Sequence, residues 1–268
     1  MTSYTVVTTF HKNGYELYGK RMIQTFLQNW PATVNLYVYA ENCTVTESAP
    51  NLTVFNLEEA SPELVAFKQR WQNVPKANGD VSTDPVRSKR KDAGKGFKWD
   101  AIRFSHKVYS IFHAAKHTHA DYLIWMDADM VCHSPIAQED INRLIDGSSD
   151  LYYLGRRGKY SECGLYAMGL RSGHIQNFLK LFQQYYDNAE NGIFTLEEWH
   201  DSFVFDAVRK QLPLSQKDWS DGLIKGEGHP IINSDWGAYL DHLKGNRKKI
   251  GRSKPKDLLI HRSEDYWK

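Results

Sequence analysis

The sequence predicts an α/β protein with a mostly parallel, Rossmann-like central sheet flanked by helices. Three observations support this prediction. Strand-like runs alternate with helical stripes through the first half of the chain, the run Tyr122–Met126 is apolar throughout, and two acids follow that run directly. Alternating strands and helices favour a parallel sheet, and an uninterrupted apolar strand favours burial on both faces. The second half is less regular, so we expect a mixed arrangement there.

The first half of the chain contains three strand signals and three helix signals. Strands are predicted where β-branched and apolar residues cluster, at 4–9, 34–40 and 52–57. Helices are predicted where apolar residues recur at helical spacing, at 15–30, 61–71 and 99–115. Ser61 followed by Pro62 is a helix-start signal, because proline lacks the N–H that the first helical residue leaves unpaired.

The second half adds shorter elements in a less regular order. Helices are predicted at 141–145, at 175–186 and from 197 onward. Strands are predicted at 151–154 and 164–170. We also expect a strand at 229–234 that leads into a helix through Leu243.

Length and composition bound the class of protein. The 268 residues are expected to form one domain with two halves, 1–126 and 127–268. The formal charge of +2 argues against a surface dedicated to polyanions. We find no apolar run of membrane-spanning length and no secretory pattern at the start, so we expect a cytoplasmic protein. The three widely spaced cysteines are expected to be buried thiols.

Two aspartates separated by Ala128 follow the apolar run. Ligands of open α/β sheets bind beyond the carboxyl ends of the strands, so Asp127 and Asp129 are predicted to face a crevice. Carboxylates on alternate residues suit a divalent Mg²⁺ or Mn²⁺ that keeps positions open for phosphate oxygens. Aspartate also forms turns and caps helices after strands. The apolar Met130 and Val131 favour the metal interpretation, because two acids at that depth are costly without a cation.

Two segments carry a local excess of positive charge. Residues 76–98 show turn formers and no periodicity, which predicts a long loop, and its strongly basic part at 87–98 is called here the basic loop. The basic tail is the segment 244–256. Such charge runs are commonly solvated surface, although long loops in compact domains are often lids or binding loops. Nucleic acid is the polyanionic partner that these two segments would suit.

A second informative stretch is His242-Leu-Lys-Gly245-Asn-Arg-Lys248. An Asp-x-Asp followed far downstream by His-x-x-Gly-x-x-Lys resembles the GT-A glycosyltransferases, particularly the retaining family that contains glycogenin and the bacterial lipooligosaccharide galactosyltransferases. The resemblance implies a GT-A domain with Mn²⁺ or Mg²⁺ as cofactor and a nucleotide-sugar donor, of which a UDP-sugar is favoured. It also implies transfer of a sugar to a hydroxyl acceptor with retention of the anomeric configuration.

The resemblance implies that 1–126 is a nucleotide-binding half and 127–268 a metal, donor-sugar and acceptor half of the single domain. It also implies a role for each motif residue. Asp127 is expected to contact the ribose and the metal, and Asp129 and His242 are expected to complete the protein's metal ligands. Lys248 is expected on the diphosphate, with Gly245 allowing the backbone to approach it closely. Cleavage of the sugar–diphosphate bond builds negative charge on the leaving phosphate, which a metal and a lysine would offset.

Two further positions match the family's nucleotide-binding region, and a third, Arg103, is a catalytic candidate. Thr8 and Thr9 stand at the end of the first predicted strand, where the family usually has an acid or Asn for the base and ribose. Arg103 resembles the basic residue that the family places on the helix before the Asp pair. An exposed helix edge is the alternative for Arg103.

The donor-sugar side is expected at two later segments. Gly164 lies in a stretch that resembles the family's Asn-Ala-Gly-Val strand, although the Asn is missing here. Asp201 and Ser202 resemble the Asp-Gln region near the anomeric carbon, which makes them candidates for orienting the sugar or supporting the reaction centre. An acid that starts a helix is the alternative for Asp201.

The donor motifs do not identify the acceptor, for which a glycan is the commonest choice on this fold. Four tryptophans could stack on sugar rings or belong to the core: Trp199, Trp219, Trp236 and Trp267. The basic loop and basic tail make a hydroxylated base in DNA, as in virus-encoded base modification, the leading polyanionic option. A base in a duplex would have to be flipped out.

Two other classes of protein remain as alternatives. A nucleotidyltransferase also uses carboxylates and a metal, but it is expected to carry a Gly-rich basic loop after its first strand, which Phe10-His-Lys-Asn-Gly14 does not supply. A non-catalytic protein that binds sugar or nucleotide would have no reason to keep Asp127, Asp129 and His242 together.

Overall fold

The computed structural model describes residues 2–221 and 229–268 and has an α/β architecture. The strands are β1 (Tyr4–His11), β2 (Asn35–Glu41), β3 (Leu52–Asn56), β4 (Tyr122–Met126), β5 (Met130–Cys132), β6 (Leu151–Tyr153), β7 (Leu165–Gly169), β8 (Gln216–Asp218) and β9 (Leu240–His242). The helices are α1 (Lys12–Gly14), α2 (Lys20–Asn29), α3 (Leu57–Ala60), α4 (Pro62–Trp71), α5 (Ala101–His117), α6 (Gln138–Leu144), α7 (Gly173–Asp187), α8 (Asp201–Arg209), α9 (Pro230–Asn233) and α10 (Arg247–Ile250).

Seven strands form the central sheet in the order β3-β2-β1-β4-β7-β6-β8. The strands β3, β2, β1 and β4 are parallel to one another, whereas β7 runs antiparallel to both β4 and β6, and β8 is parallel to β6. The sheet is therefore mostly parallel with a mixed second half, as the sequence predicts. Strands β5 and β9 form a separate antiparallel pair.

Helices cover both faces of the central sheet, and β4 contributes side chains to both cores. Leu123 and Trp125 pack with residues of α4, α5, α7 and α8, whereas Ile124 and Met126 pack with residues of α2 and α6. None of the four side chains is more than 2% exposed. Because alternate residues of a strand point to opposite faces, a strand between two helical layers requires apolar residues throughout.

The helix starts follow local signals in the sequence. The side chain of Ser61 accepts a hydrogen bond from the Leu64 N–H, and Pro62 occupies the first position of α4, as predicted. The side chain of Asp100 likewise accepts from the Arg103 N–H at 3.0 Å and starts α5. Because α5 leads into β4, this cap also fixes where the chain enters the strand that precedes the Asp pair.

The prediction of a strand at 229–234 and a helix through Leu243 was wrong. Residues Pro230–Asn233 form α9, and the chain then reaches β9 through a 3₁₀ turn. The proline suits the first position of a helix, and β9 is a strand because it pairs with β5. The Asp241 side chain further anchors β9 by accepting from the Ser253 N–H at 2.7 Å and the Tyr266 hydroxyl at 2.8 Å.

Two expectations from composition can be compared with the described residues. The three cysteines are free thiols, of which Cys132 and Cys163 are buried and Cys43 is half-buried. Within 2–221 and 229–268, none of the helices has both the length and the apolar character needed to cross a membrane.

Candidate functional site

A large cleft of ≈ 1160 Å³ lies at the carboxyl ends of β1, β2 and β4. The predicted site residues that line it are Thr9, Arg103, Asp127, Asp129, Gly164, Asp201, Ser202, His242, Gly245 and Lys248. Thr8 is fully buried and does not line this cleft. Ten positions from six separate stretches of sequence therefore converge on one site, at the edge of the sheet where α/β proteins bind ligands.

The pairing of β5 with β9 brings His242 beside the two acids, although 113 positions separate it from Asp129. Met130 lies opposite His242 in this pair, and the Leu243 N–H donates to the Asp129 carbonyl at 2.9 Å. Asp127 follows β4 directly, and its N–H donates at 2.8 Å to the carbonyl of Gly164, the residue before β7. Backbone contacts thus fix all three residues.

The three side chains point toward one another. His242 Nε2 lies 3.0 Å from Asp129 Oδ1 and 3.7 Å from Asp127 Oδ2. One potential ligand atom from each residue lies within 4.8 Å of the others. Lys248 Nζ lies 3.0 Å from Asp129 Oδ2. Burial opposes ionisation of Asp129, but His242 and Lys248 outweigh it and hold the pKa of this carboxyl below its usual range.

This set of donors fits a divalent cation. Two carboxylates and an imidazole suit Mn²⁺, and the oxygens also suit Mg²⁺. Lys248 and the His242 ring contact Asp129, so a bound cation would replace the hydrogen bond between His242 and Asp129. In the part of the chain that the structure describes, no other group of three His, Cys, Asp or Glu residues converges in this way.

The rear of the His242 ring is closely packed, which fixes the direction of the imidazole. A Cβ added to Gly164 would lie 2.6 Å from His242 Cε1, so a larger residue would displace the ring. The His229 ring packs edge-on against it with centroids 4.9 Å apart. Glu162 Oε1 lies 4.0 Å from His242 Nδ1. Gly164 therefore has a role at His242 in addition to the predicted position beside the donor sugar.

Glu162 and His229 were missed from the sequence. Burial opposes ionisation of Glu162, yet Lys244, His229 and His242 hold its pKa well below the usual range. Burial lowers the pKa of His229 well below that of an ordinary histidine, and the neighbouring His242 lowers it further. Only the position of Glu162, two residues before the predicted Gly164, could have pointed to this pair.

Lys107 connects the metal-site acids with Asp201. Its Nζ lies 3.1 Å from Asp127 Oδ1 and 2.7 Å from Asp201 Oδ2, and it also donates to the Cys163 carbonyl. The Trp125 indole N–H donates to the same Asp127 oxygen at 2.7 Å. Burial opposes the charge on Lys107, but the two carboxylates hold its pKa well above the usual range. The helical spacing of Lys107 from Arg103 was the signal available in the sequence.

The remaining predicted residues surround this centre. Arg103 is exposed near the start of α5 and lines the cleft. The Thr9 hydroxyl donates to a carbonyl of β2 at 2.8 Å. Gly245 has a φ of 61°, a left-handed conformation that favours glycine in the turn before α10. Lys248 Nζ lies 4.5 Å from the centre of the Tyr18 ring, which borders the same cleft.

Glu41 lines the cleft at the carboxyl end of β2. Its Oε1 lies 3.1 Å from His106 Nε2 and 2.7 Å from Lys68 Nζ. The hydrogen bond from His106 is the largest cause that lowers its pKa, from 4.5 to about 2, against the opposing effect of burial. Neither His106 nor Glu41 was predicted as a site residue.

We expect Glu41→Gln to reduce the acid sensitivity of the fold. A carboxyl with a depressed pKa stabilises the folded state fully above its unfolded value of 4.5 and loses that contribution as pH falls to about 2. The difference corresponds to at most about 3 kcal/mol. Urea unfolding of the wild type and of Glu41→Gln, at neutral pH and at several pH values below 4.5, measures how the free energy of unfolding depends on pH. An equally steep loss of stability in the variant and the wild type would contradict the assignment.

The basic loop and basic tail make specific contacts with acids. Arg90 pairs with Asp92 at 2.9 Å, and Lys98 pairs with Asp92 and Glu198 at 2.7 and 2.6 Å. In the basic tail, Arg247 pairs with a nearby aspartate at 2.6 Å. A polyanion would have to compete with these carboxylates for the same cations, which does not favour nucleic-acid binding by the two segments.

The four tryptophans predicted as core or sugar-stacking residues divide by burial. Trp199 and Trp236 are fully buried. Trp219 and Trp267 are half-buried, and their indole N–H groups donate to the carbonyls of Leu144 and Gly237 at 2.8 and 3.0 Å. None of the four lines the cleft.

Comparisons with known proteins give similarity at the level of structure. Searches of protein-family models and of curated proteins found no match. The bifunctional glycosyltransferase WbbM in its apo form is 10% identical, with a TM-score of 0.46, over 82% of this chain and 39% of that chain. The glycosyltransferase GlyE of Streptococcus pneumoniae TIGR4 is 9% identical, with a TM-score of 0.44, over 82% and 46%.

A third similar structure is an active-site mutant of LgtC, which is 10% identical with a TM-score of 0.47 over 81% of this chain and 73% of that chain. The chain therefore spans less than half the length of the WbbM and GlyE chains and about three quarters of the LgtC chain. The structures to which it is similar are glycosyltransferases.

Proposed function

We propose that this protein is a metal-dependent glycosyltransferase that moves a sugar from a nucleotide diphosphate sugar to a hydroxyl acceptor. The observation that carries the proposal is the convergence of Asp127, Asp129, His242 and Lys248 in one cleft at the carboxyl ends of the parallel strands. A cation and a lysine side by side suit a diphosphate better than a neutral ligand.

The motif residues have distinct roles in this proposal. Asp127, Asp129 and His242 would hold Mn²⁺ or Mg²⁺, and Asp127 would also contact the ribose. The bound cation supplies positive charge against the phosphate that leaves. Lys248 would add a second positive charge to the diphosphate, and the left-handed Gly245 lies in the turn before the lysine's short helix.

Other cleft residues would position the donor. Thr9 and Arg103 would face the nucleotide, while Asp201 and Ser202 would orient the sugar beside Gly164. Lys107 supports this assignment, because it binds Asp127 and Asp201 together. Thr8 lies inside the core and has no donor contact in this proposal.

Substrate choice and stereochemistry follow from the motifs. We favour a UDP-sugar as donor, transfer with retention, and a glycan as acceptor. A hydroxylated base in DNA is less favoured, because arginines and lysines of the basic loop and basic tail already contact carboxylates. Product-anomer NMR would test retention, and an inverted product would exclude it.

A donor screen tests the proposed activity. UDP- and GDP-sugars are incubated with Mn²⁺ and the protein, and release of nucleoside diphosphate is followed. We expect metal-dependent release with at least one donor, and loss of release in Asp129→Asn. Release of pyrophosphate from nucleoside triphosphates instead would support a nucleotidyltransferase. Unchanged binding of donor and metal to Asp129→Asn would contradict the assigned site.

A further inference from the structure

The basic loop forms one wall of the cleft because it is bound to residues 196–200. The Trp199 and His200 N–H groups both donate to the Lys98 carbonyl, at 2.7 and 3.2 Å. The Lys98 ammonium pairs with the buried Glu198, and Arg90 contacts the same acid at 3.3 Å. The Trp99 indole N–H donates to a carbonyl of this segment at 3.0 Å. The positive charges of the loop therefore fix its position.

This anchoring holds an exposed aromatic ring in the cleft. Phe97 lines the cleft and is 47% exposed, although the residues on either side of it belong to an ordered 3₁₀ turn. Three aromatic rings that line the cleft pack around His200, with centroids at 5.9 Å for Phe97, 6.1 Å for Phe104 and 4.8 Å for Tyr160. We call Phe97, Phe104 and Tyr160 the aromatic wall.

The His200 ring is held in place by hydrogen bonds, so its nitrogens are not free to act as a base in the cleft. Its Nε2 lies 3.0 Å from Glu198 Oε2, and its Nδ1 accepts from the Phe203 N–H at 3.4 Å. Both ring nitrogens therefore have protein partners. His200 supports the aromatic wall, and the exposed surface that the wall presents to a ligand is aromatic carbon.

A continuous series of contacts leads from the metal-site acids through Asp201 to the aromatic wall. Asp127 contacts Lys107, Lys107 contacts Asp201, and Asp201 Oδ1 lies 4.0 Å from His200 Nδ1, next to the wall. In the proposed function the diphosphate lies at Asp127 and the donor sugar lies at Asp201. A ligand at the aromatic wall, the other end of the series, would then be the acceptor that receives the sugar.

We propose that the aromatic wall is the acceptor subsite and that it binds a pyranose ring, whose apolar face stacks on Phe97. This inference rests on the proposed glycosyltransferase function. An exposed phenyl ring in a cleft suits the C–H face of a sugar, and Lys95 on the cleft surface provides a polar group for the hydroxyls. Single-stranded nucleic acid also stacks on aromatic rings, but it requires cations along its backbone, and two cations of the loop, Arg90 and Lys98, are paired with acids.

Saturation-transfer NMR tests the subsite without requiring turnover. The probes are the methyl glycosides of glucose, galactose and mannose, each with UDP and Mn²⁺ present. At least one glycoside is expected to bind the wild type, with on the order of tenfold weaker binding to Phe97→Ala. Phe97→Tyr keeps the ring and should restore binding. Val86→Ala is the matched control, because Val86 is a 71% exposed residue near the same loop that does not line the cleft.

The outcomes separate this inference from the proposed function. Equal binding of a glycoside to the wild type and Phe97→Ala would overturn it, as would binding of a single-stranded oligonucleotide but no glycoside, or no binding of any probe. Phe97→Ala should bind Mn²⁺ and UDP as the wild type does. Failure of the metal assignment appears instead in Asp129→Asn, as undiminished Mn²⁺ and UDP binding, whatever the result at Phe97.

Discussion

Replacing Asp129 by Asn is expected to lower metal-dependent donor turnover by on the order of 10³-fold. The substitution keeps the shape of the side chain but removes the negative charge of the carboxylate. In the wild type His242 Nε2 and Lys248 Nζ each lie 3.0 Å from an oxygen of that carboxylate. Without that carboxylate the cation loses a ligand, and the lysine loses the partner that holds it beside the diphosphate. Donor release at saturating sugar nucleotide measures the effect, with Mn²⁺ affinity measured separately.

Glu139→Gln is the matched control for this experiment, since Glu139 is an exposed acid on α6 that does not line the cleft. His242→Ala should resemble Asp129→Asn in metal affinity. Donor turnover within about tenfold of the wild type in both site variants would remove Asp129 and His242 from the metal site.

Replacing Lys107 by Met is expected to cost about 3–5 kcal/mol of unfolding free energy, which is the usual effect of removing one partner from a buried ion pair. The side chain of Lys107 is 9% exposed, and its ammonium is the shared partner of Asp127 and Asp201. Methionine fills similar space but leaves two carboxylates close together without a counter-ion. Urea denaturation measures the loss.

A second variant separates charge from packing at this position. Adding Asp201→Asn to Lys107→Met removes one of the two uncompensated charges and should recover a substantial part of the lost stability. Lys116→Met is the control, because Lys116 is exposed on the same helix. A loss below about 1 kcal/mol in Lys107→Met, or no recovery in the double variant, would show that the lysine does not hold the two acids together.

The parts of the fold that the sequence predicts are those with strong local signals. The apolar run Tyr122–Met126 forms β4 with the predicted bounds. Because β4 is buried on both faces, it is apolar throughout, and this pattern is visible in the sequence. Ser61 and Pro62 likewise predicted the start of α4. The strand Leu240–His242 was wrongly predicted as helix, since three residues carry little propensity and their pairing with β5 is a contact between distant segments.

The same distinction applies to the candidate site. Asp127, Asp129 and His242 were predicted to share a cation, and the structure brings them together at the β5–β9 pair. Their metal-binding role stays a prediction. Lys107 was not predicted as a site residue, because its importance depends on Asp201, which only the packing of α5 against α8 brings within reach.

The basic loop shows why charge runs are hard to interpret from sequence. Its arginines and lysines predicted a solvated surface, a lid or binding loop, or a polyanion site, whereas Arg90 and Lys98 bind the acids of residues 197–198. Those acids lie about one hundred positions away along the chain. The sequence carries no local sign of such a partner, so the role of the loop as a cleft wall could be seen only in the structure.

The metal assignment is tested most directly by a crystal structure with Mn²⁺ and UDP, in which anomalous scattering locates the manganese. We expect one peak within roughly 2.1–2.5 Å of oxygens from Asp127 and Asp129 and of His242 Nε2, with the diphosphate on the same ion and Lys248 beside it. The hydrogen bond between His242 and Asp129, now 3.0 Å, would be replaced by bonds to the metal. A manganese peak away from these residues, with that hydrogen bond intact, would contradict the assignment.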